Sequence, residues 1–270
     1  MTDKKNAVAK TGTSAVAVPF SYGEDAGAGM NISMDDLKVP FLSLVQDDSK
    51  VLFEDEEKYV PGGKSGDMLN SATKEYVDGA TGLLLIPAVV KTTMIEYQPE
   101  RGPFVAEHDI TSQTAVRGAA NGNVNPENGN DLVKTKTMFA IVVDEDLNPI
   151  DYVVVGFTSS KLGPWSEYWT KINTAKITKD IPIYANLISL TTRDVKNAKG
   201  RFKNFLMIPA RDEKGVRATS VATASVVASL VDPASAAYAA AKEFAGQVMA
   251  GKKEAAREEG SDEKGDSTYF

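Results

Sequence analysis

Residues 83–97, LLLIPAVVKTTMIEY, form the longest β-prone run in the chain, and Pro87 inside it restricts how the strand can be used. Proline has no backbone N–H to give to a ladder, so a strand containing it lies at a sheet edge or carries a bulge. The neighbouring grammar is also that of strands and turns. Residues 67–71 and 75–77 are short strand candidates, with a turn at Asp78-Gly79. Residues 135–143 and 150–157 are β-rich and joined by DEDLNP, which predicts a hairpin. Residues 181–192 and 202–209 give two more strands around the basic loop RDVKNAKGR.

Helices punctuate this series. Ser33 reads as an N-cap, followed by Leu37, Phe41, Leu44 and Val45 at near-helical spacing, with Pro40 keeping that helix short. Residues 158–176 predict a helix capped by Ser159 or Ser160, with Pro164 near its first turn. Asp232 predicts the cap of a last, Ala-rich helix starting at Pro233. Residues 98–132 show little apolar periodicity and read as a long excursion with little regular structure. Strands cluster without βαβ alternation. The expectation is therefore a mainly β, α+β fold: an antiparallel sheet or small barrel with a helix between strands and a C-terminal helix. The domain organisation expected is a disordered arm over 1–32, one binding domain over 33–232, the C-terminal helix over 233–253 and a disordered acidic tail over 254–270.

Several chemistries are excluded early. With no cysteine and only His108, cysteine-bearing zinc sites, disulfide scaffolds and imidazole-cluster metal sites are not available. No stretch reaches the ~20 apolar residues of a membrane span. The N-terminus lacks the continuous apolar segment of a signal peptide and reads as a flexible arm. Gly63-Lys64-Ser65 ends like a phosphate-binding loop, but Lys58 stands where that pattern needs glycine. Asp144, Asp146 and Asn148 have calcium-loop spacing, yet Pro149 replaces the required glycine and Val155 the bidentate glutamate. No nucleophile elbow accompanies His108. The chain reads as a non-enzyme without a cofactor.

Charge is distributed unevenly. The net charge is −7, but residues 1–160 hold 13 basic and 24 acidic residues whereas residues 161–217 hold 12 basic and 5 acidic ones. A polyanion responds to the field within about 10 Å, not to the whole-molecule charge. Single-strand binding needs cations that follow phosphates and aromatic faces for bases. The basic segment offers both: Lys161, Lys171, Lys176, Arg193, Lys196, Lys199, Arg201 and Lys203, with Trp165, Trp169 and Phe202. Trp165, Tyr168 and Trp169 share one helical face, however, and such stripes are more often core than platform. The basic loop is a phosphate clamp or a solvated hairpin tip.

The tail, 254–270, has six acids and two bases and ends in Tyr269-Phe270. A sheet or small barrel, then a C-terminal helix, then an acidic tail ending in phenylalanine resembles the bacteriophage single-stranded-DNA-binding proteins. The stretches MDDLKVPFLSLVQDDS, YVPGGKSGDMLNSATKEYVDG and LLLIPAVVKTTMIEYQP also resemble a recurrent protein of phage replication modules. The resemblance implies an OB-like Greek-key barrel acting on single-stranded DNA in replication, recombination or repair, in the host cell cytoplasm. It also implies a tail, through Glu258, Glu259, Asp262, Glu263, Asp266 and Phe270, that recruits a polymerase or primase-helicase and restrains DNA binding. Arg257 and Lys264 depart from a purely acidic tail. A homodimer is compatible with this reading. The competing expectation is a protein-interaction or virion-associated protein that does not bind nucleic acid.

Overall fold

The computed structural model describes residues 38–175, 181–198, 200–253 and 255. The expected disordered arm, the Ser33 cap, Lys176, Lys199 and the tail residues from Glu258 to Phe270 lie outside the described residues.

The architecture of the described residues is mainly β, antiparallel, with three α-helices. A small sheet joins β1 (Leu42–Leu44), β2 (Met68–Asn70) and β3 (Tyr76–Val77) in that order. The main sheet contains β4 (Leu83–Tyr97), β5 (Phe104–Asp109), β6 (Asp131–Val143), β7 (Pro149–Thr158), β8 (Ile188–Asn197) and β9 (Gly200–Pro209). Its order is β7-β6-β4-β8-β9, with β5 also paired to β4. β4 is thus central, not an edge strand. The ladder with β6 shifts register between Pro87 and Val89, so Pro87 sits at the bulge its missing N–H requires.

Both faces of the main sheet are covered along residues 138–143 of β6, which explains why MFAIVV is a continuous apolar run and does not alternate. Met138, Ala140 and Val142 of β6 pack with Leu42, Leu44 and Met68 and with Trp165, Tyr168 and Ile172 of helix α2 (Leu162–Thr174). Phe139, Ile141 and Val143 face helix α3 (Ala236–Met249), whose Ala237, Ala241, Phe244 and Val248 form one apolar stripe. No helix of the described residues is long and apolar enough to cross a membrane.

Three local expectations are corrected. Phe41, Leu44 and Val45 belong to no helix. Residues 42–44 form β1, with Leu42 and Leu44 buried at period two and paired to Asn70 and Met68. Pro40 disfavours the helix, and the long-range ladder decides the rest. The α3 cap is Ser235, whose hydroxyl accepts from the Tyr238 N–H, while Asp232 accepts from the Ala234 N–H one turn earlier. The 98–132 excursion is ordered: a 3₁₀ turn at Pro99–Arg101, β5, and helix α1 (Gln113–Ala120) capped by Ser112.

β1 reaches both ends of the main sheet. The Val154 N–H of β7 donates to the Pro40 carbonyl at 2.8 Å. Across the seam, Gln46 behaves like a strand residue toward β9. Its Oε1 accepts from the Lys203 N–H at 2.9 Å and its Nε2 donates to the Lys203 carbonyl at 3.0 Å. Among the described residues no backbone ladder joins β7 directly to β9.

Candidate nucleic-acid interface

β8 and β9 leave the body as a two-stranded ribbon with a tight turn, in which Lys196 pairs with Arg201 and Asp194 with Lys203. What the sequence presents as a basic loop is thus mostly strand. Lys196 and Arg201 face each other across the ribbon and are exposed, and neither forms an ion pair with a described carboxylate. Two like charges directly opposite destabilise a ladder unless water or an anion screens them. The cations nearer the root are already engaged. Lys203 Nζ lies 2.7 Å from Asp194, and an Arg193 Nη lies 3.5 Å from Glu167 of α2.

Lys171 does not project into solvent. Its ammonium donates to the Val221 and Ala224 carbonyls at 2.8 and 2.9 Å and ties α2 to that loop. Lys161 is half-buried at the start of α2.

The rings of the basic segment are core. Trp165 is 6% exposed, with its ring 5.0 Å from Phe157. Trp169 is half-buried, 5.5 Å from Trp165 and edge-on to Tyr168. Phe202 is 7% exposed. In a strand its side chain points opposite to those of Arg201 and Lys203, and here that direction is inward. Trp165 and Phe202 therefore present no open face to a base. This corrects the expectation that they form a stacking platform.

The Gly62–Gly66 turn lies beside the ribbon root. Its Lys64, Ser65 and Gly66 form, with Asp67, Asp78, Gly79, Thr192, Arg193, Asp194 and Lys203, a cavity of about 180 Å³. Lys64 Nζ sits 2.7 Å from Asp78, and that hydrogen bond holds the Asp78 carboxyl down to about 2. Strand β2, not a helix, follows the turn, in keeping with the incomplete phosphate-loop pattern. Gly79 is required here, because a Cβ at this position would collide with the Gly66 carbonyl and the Thr192 hydroxyl. Asp144 likewise has a structural role: its carboxylate accepts from the Asp146 and Asn148 N–H groups and shapes the β6–β7 turn.

Sequence reasoning missed one buried cluster. Glu96, 3% exposed on β4, accepts at Oε1 from the side-chain amides of Asn125, Asn128 and Asn130 at 3.0, 2.7 and 2.7 Å. Its Oε2 lies 2.6 Å from His108 Nε2. Burial alone would raise the Glu96 pKa. The donors Asn128, His108, Asn130 and Asn125 outweigh it and hold the carboxyl at about 2. His108 is therefore part of a structural knot. The only signal in the sequence was the asparagine density of NGNVNPENGN.

The family model described as Pam3 phage gp34-like protein matches residues 8–254. No curated protein and no solved structure matches the chain.

Proposed function

The chain belongs to the Pam3 phage gp34-like family, a bacteriophage family, and we propose that it is a non-enzymatic, sequence-independent single-stranded-DNA-binding protein of phage replication, recombination or repair, acting in the host cell cytoplasm. The reading is supported first by strand order. Taking β4, β6, β7, β8 and β9 as strands one to five, the order three-two-one-four-five, with α2 between the third and fourth, is that of an OB-like Greek-key barrel. Gln46 and β1 would then fill the seam between the third and fifth strands.

Such barrels grip oligonucleotides with the face of strands two and three and with the loops between strands one and two and strands four and five. Here α3 covers the first of these surfaces. The loops remain, and the four-to-five loop is the ribbon tip. The exposed Lys196–Arg201 pair there is the observation that carries the proposal. Phosphate contact at the ribbon replaces base stacking by Trp165 and Phe202 in this reading. Binding then depends on counterion release and not on base identity. Lys161, Lys199 and Lys176 remain candidate phosphate contacts; Arg193 and Lys203 would join them by exchanging Glu167 and Asp194 for phosphate.

Replacing Lys196 and Arg201 together by glutamate should weaken oligo-dT binding and flatten its dependence on log salt by about 1.4, from roughly 0.7 per single-strand phosphate lost. Fluorescence anisotropy at several salt concentrations measures both. An affinity and slope equal to wild type would remove the ribbon from the site.

The tail carries a separate expectation. An acidic segment tethered to the body competes at an effective concentration of order millimolar. Deleting residues 254–270 should tighten oligo-dT binding, most at low salt. Removing Phe270 alone should leave DNA affinity unchanged and abolish pull-down of a polymerase or primase-helicase. Weaker DNA binding by the deletion at every salt concentration would contradict the competitor role.

The burial of Trp165 and Phe202 favours a second reading, a virion-associated or other protein-interaction role without nucleic acid. A mobility shift of labelled single-stranded DNA that disappears at moderate salt supports the first reading, and no shift at low salt supports the second.

A further inference from the structure

The segment that leads from α1 into the Glu96 knot holds both Asn–Gly pairs of the chain, Asn121-Gly122 and Asn128-Gly129. An asparagine followed by glycine can close a ring with the next backbone nitrogen, because glycine has no side chain to hinder the approach. The glycine nitrogen gives its proton to hydroxide and attacks the asparagine Cγ. A C–N bond forms, and the side-chain nitrogen departs as ammonia with a proton from water. Water then adds to one of the two carbonyls of the resulting succinimide. Opening at one carbonyl gives aspartate, and opening at the other gives isoaspartate. In sum, an amide and a water become a carboxylate and an ammonium ion, with no oxidant or reductant.

The two pairs share this chemistry but not their surroundings. Asn128 is held at every group the reaction uses. Its Nδ2 donates to Glu96 Oε1 at 2.7 Å, and its Oδ1 accepts from the Asn130 N–H at 3.0 Å. The attacking nitrogen is engaged as well, since the Gly129 N–H donates to the Asn125 carbonyl at 2.9 Å. The bond to the charged Glu96 carboxylate is of the stronger kind. Asn121 is exposed at the C-cap of α1, and its side chain makes one hydrogen bond, from Nδ2 to the Val124 carbonyl at 3.1 Å. The Gly122 N–H makes no hydrogen bond among the described residues. Apart from its chain neighbours, nothing lies within 4 Å of where a Gly122 Cβ would stand. Rotating the Asn121 backbone toward attack costs the Asn123 N–H bond to the Gly118 carbonyl, at the end of an eight-residue helix. The ends of helices this short open readily.

We propose that Asn121 is a site of self-modification, converted through Gly122 to aspartate and isoaspartate, and that the Glu96 knot shields Asn128 from the same reaction. The product loosens α1. A carboxylate at the C-cap opposes the helix dipole and no longer donates to the Val124 carbonyl. Isoaspartate also places one more atom in the backbone between α1 and the knot, which carries the Asn123 N–H away from the Gly118 carbonyl. Glu96 keeps its bonds to Asn125, Asn128, Asn130 and His108, so β5 stays in place. The modification therefore frees Ala115 of α1 from Met94 and Leu132 while the knot remains closed. It accumulates with time alone and marks the age of the folded chain.

The test incubates the full chain in mildly alkaline buffer and follows tryptic peptide 118–134, which holds both pairs, by tandem mass spectrometry. A parallel incubation in denaturant gives the two rates without the fold. In the folded chain Asn121 should convert at least tenfold faster than Asn128, whereas in denaturant the two rates should be alike. In the modified fraction, hydrogen exchange should speed up in α1 and stay unchanged in β5. Glu96→Ala, checked for folding by the protection of its β6–β7 ladder, should bring the Asn128 rate up to that of Asn121. Equal rates in the folded wild type overturn the shielding, and so does an Asn128 rate unmoved in folded Glu96→Ala. An Asn121 that stays intact in the folded chain while the denatured chain converts fully overturns the site. The comparison of folded with denatured wild type decides between these outcomes whether or not the variant folds.

Discussion

Replacing Trp165 by alanine is expected to cost about 3–5 kcal/mol of stability, the usual range for a large aromatic removed from a packed core. The indole is 6% exposed and lies within one cluster with Leu42, Met138, Phe157 and Phe205. Its ring meets Phe157 at 5.0 Å and Trp169 at 5.5 Å. Truncation leaves a void where the small sheet, the main sheet and α2 meet, and none of the three can close it without moving the others. For a domain of this size the melting temperature should fall by roughly 10 °C. Measured below that transition, oligo-dT affinity should stay at the wild-type value. The opposite pattern, an unchanged melting curve with affinity weakened by about 1–3 kcal/mol, is what a stacking residue gives, and it would contradict the assignment of Trp165 to the core.

Acidification should release the β4–β5 arm before the rest of the sheet. Glu96 titrates at about 2 in the folded chain against 4.5 for an unperturbed carboxyl. Its folded value is depressed, so its stabilisation is complete above pH ~4.5 and is lost as the pH falls through about 2, amounting to about 3 kcal/mol in all. The loss should be local, because the carboxylate joins β4 to His108 on β5 and to Asn125, Asn128 and Asn130 beyond α1. Hydrogen exchange should therefore speed up in β5 and α1 first, while the β6–β7 ladder stays protected. Glu96→Ala should reproduce this at neutral pH, since it leaves the buried Asn125 amide, the Asn128 and Asn130 amides and an imidazole without their acceptor. Glu96→Gln should rescue it in part, because its Oε1 can still accept from the three asparagine amides, although the charge that strengthens those bonds is gone. If Glu96→Ala showed wild-type exchange in β5 and α1 at pH 7, the knot would not be what orders the arm.

Strands β4, β6 and β7 of the main sheet were legible in the sequence because they are long and locally consistent. Residues 83–97 announce β4, and Pro87 announces an edge or a bulge, of which the structure has the bulge; 135–143 and 150–157 announce the β6–β7 hairpin. β1 was not legible, because three residues are too few to display a period and Phe41, Leu44 and Val45 also match a helical one. Its strand state comes from pairing with β2 some 26 residues away, as Leu42↔Asn70 and Leu44↔Met68. The arm was hidden for a different reason. Its order depends on one carboxylate acting 29 to 34 residues along the chain, which leaves no periodicity to read.

The candidate site divides the same way. The helical spacing of Trp165, Tyr168 and Trp169 allowed a core stripe, and that is where they lie. A count of cations cannot reveal that Glu167 already holds Arg193, or that Asp194 faces Lys203 across the ribbon.

The most direct test of the account is the affinity of the intact chain for oligo-dT, without and with competing double-stranded DNA, measured across a range of salt concentrations. The account predicts binding at low salt that falls linearly with log salt, with a slope of about −0.7 per phosphate held and several phosphates in the footprint. It also predicts no preference among unstructured sequences of the same length. Absence of binding at low salt, or binding that does not respond to salt, would contradict it.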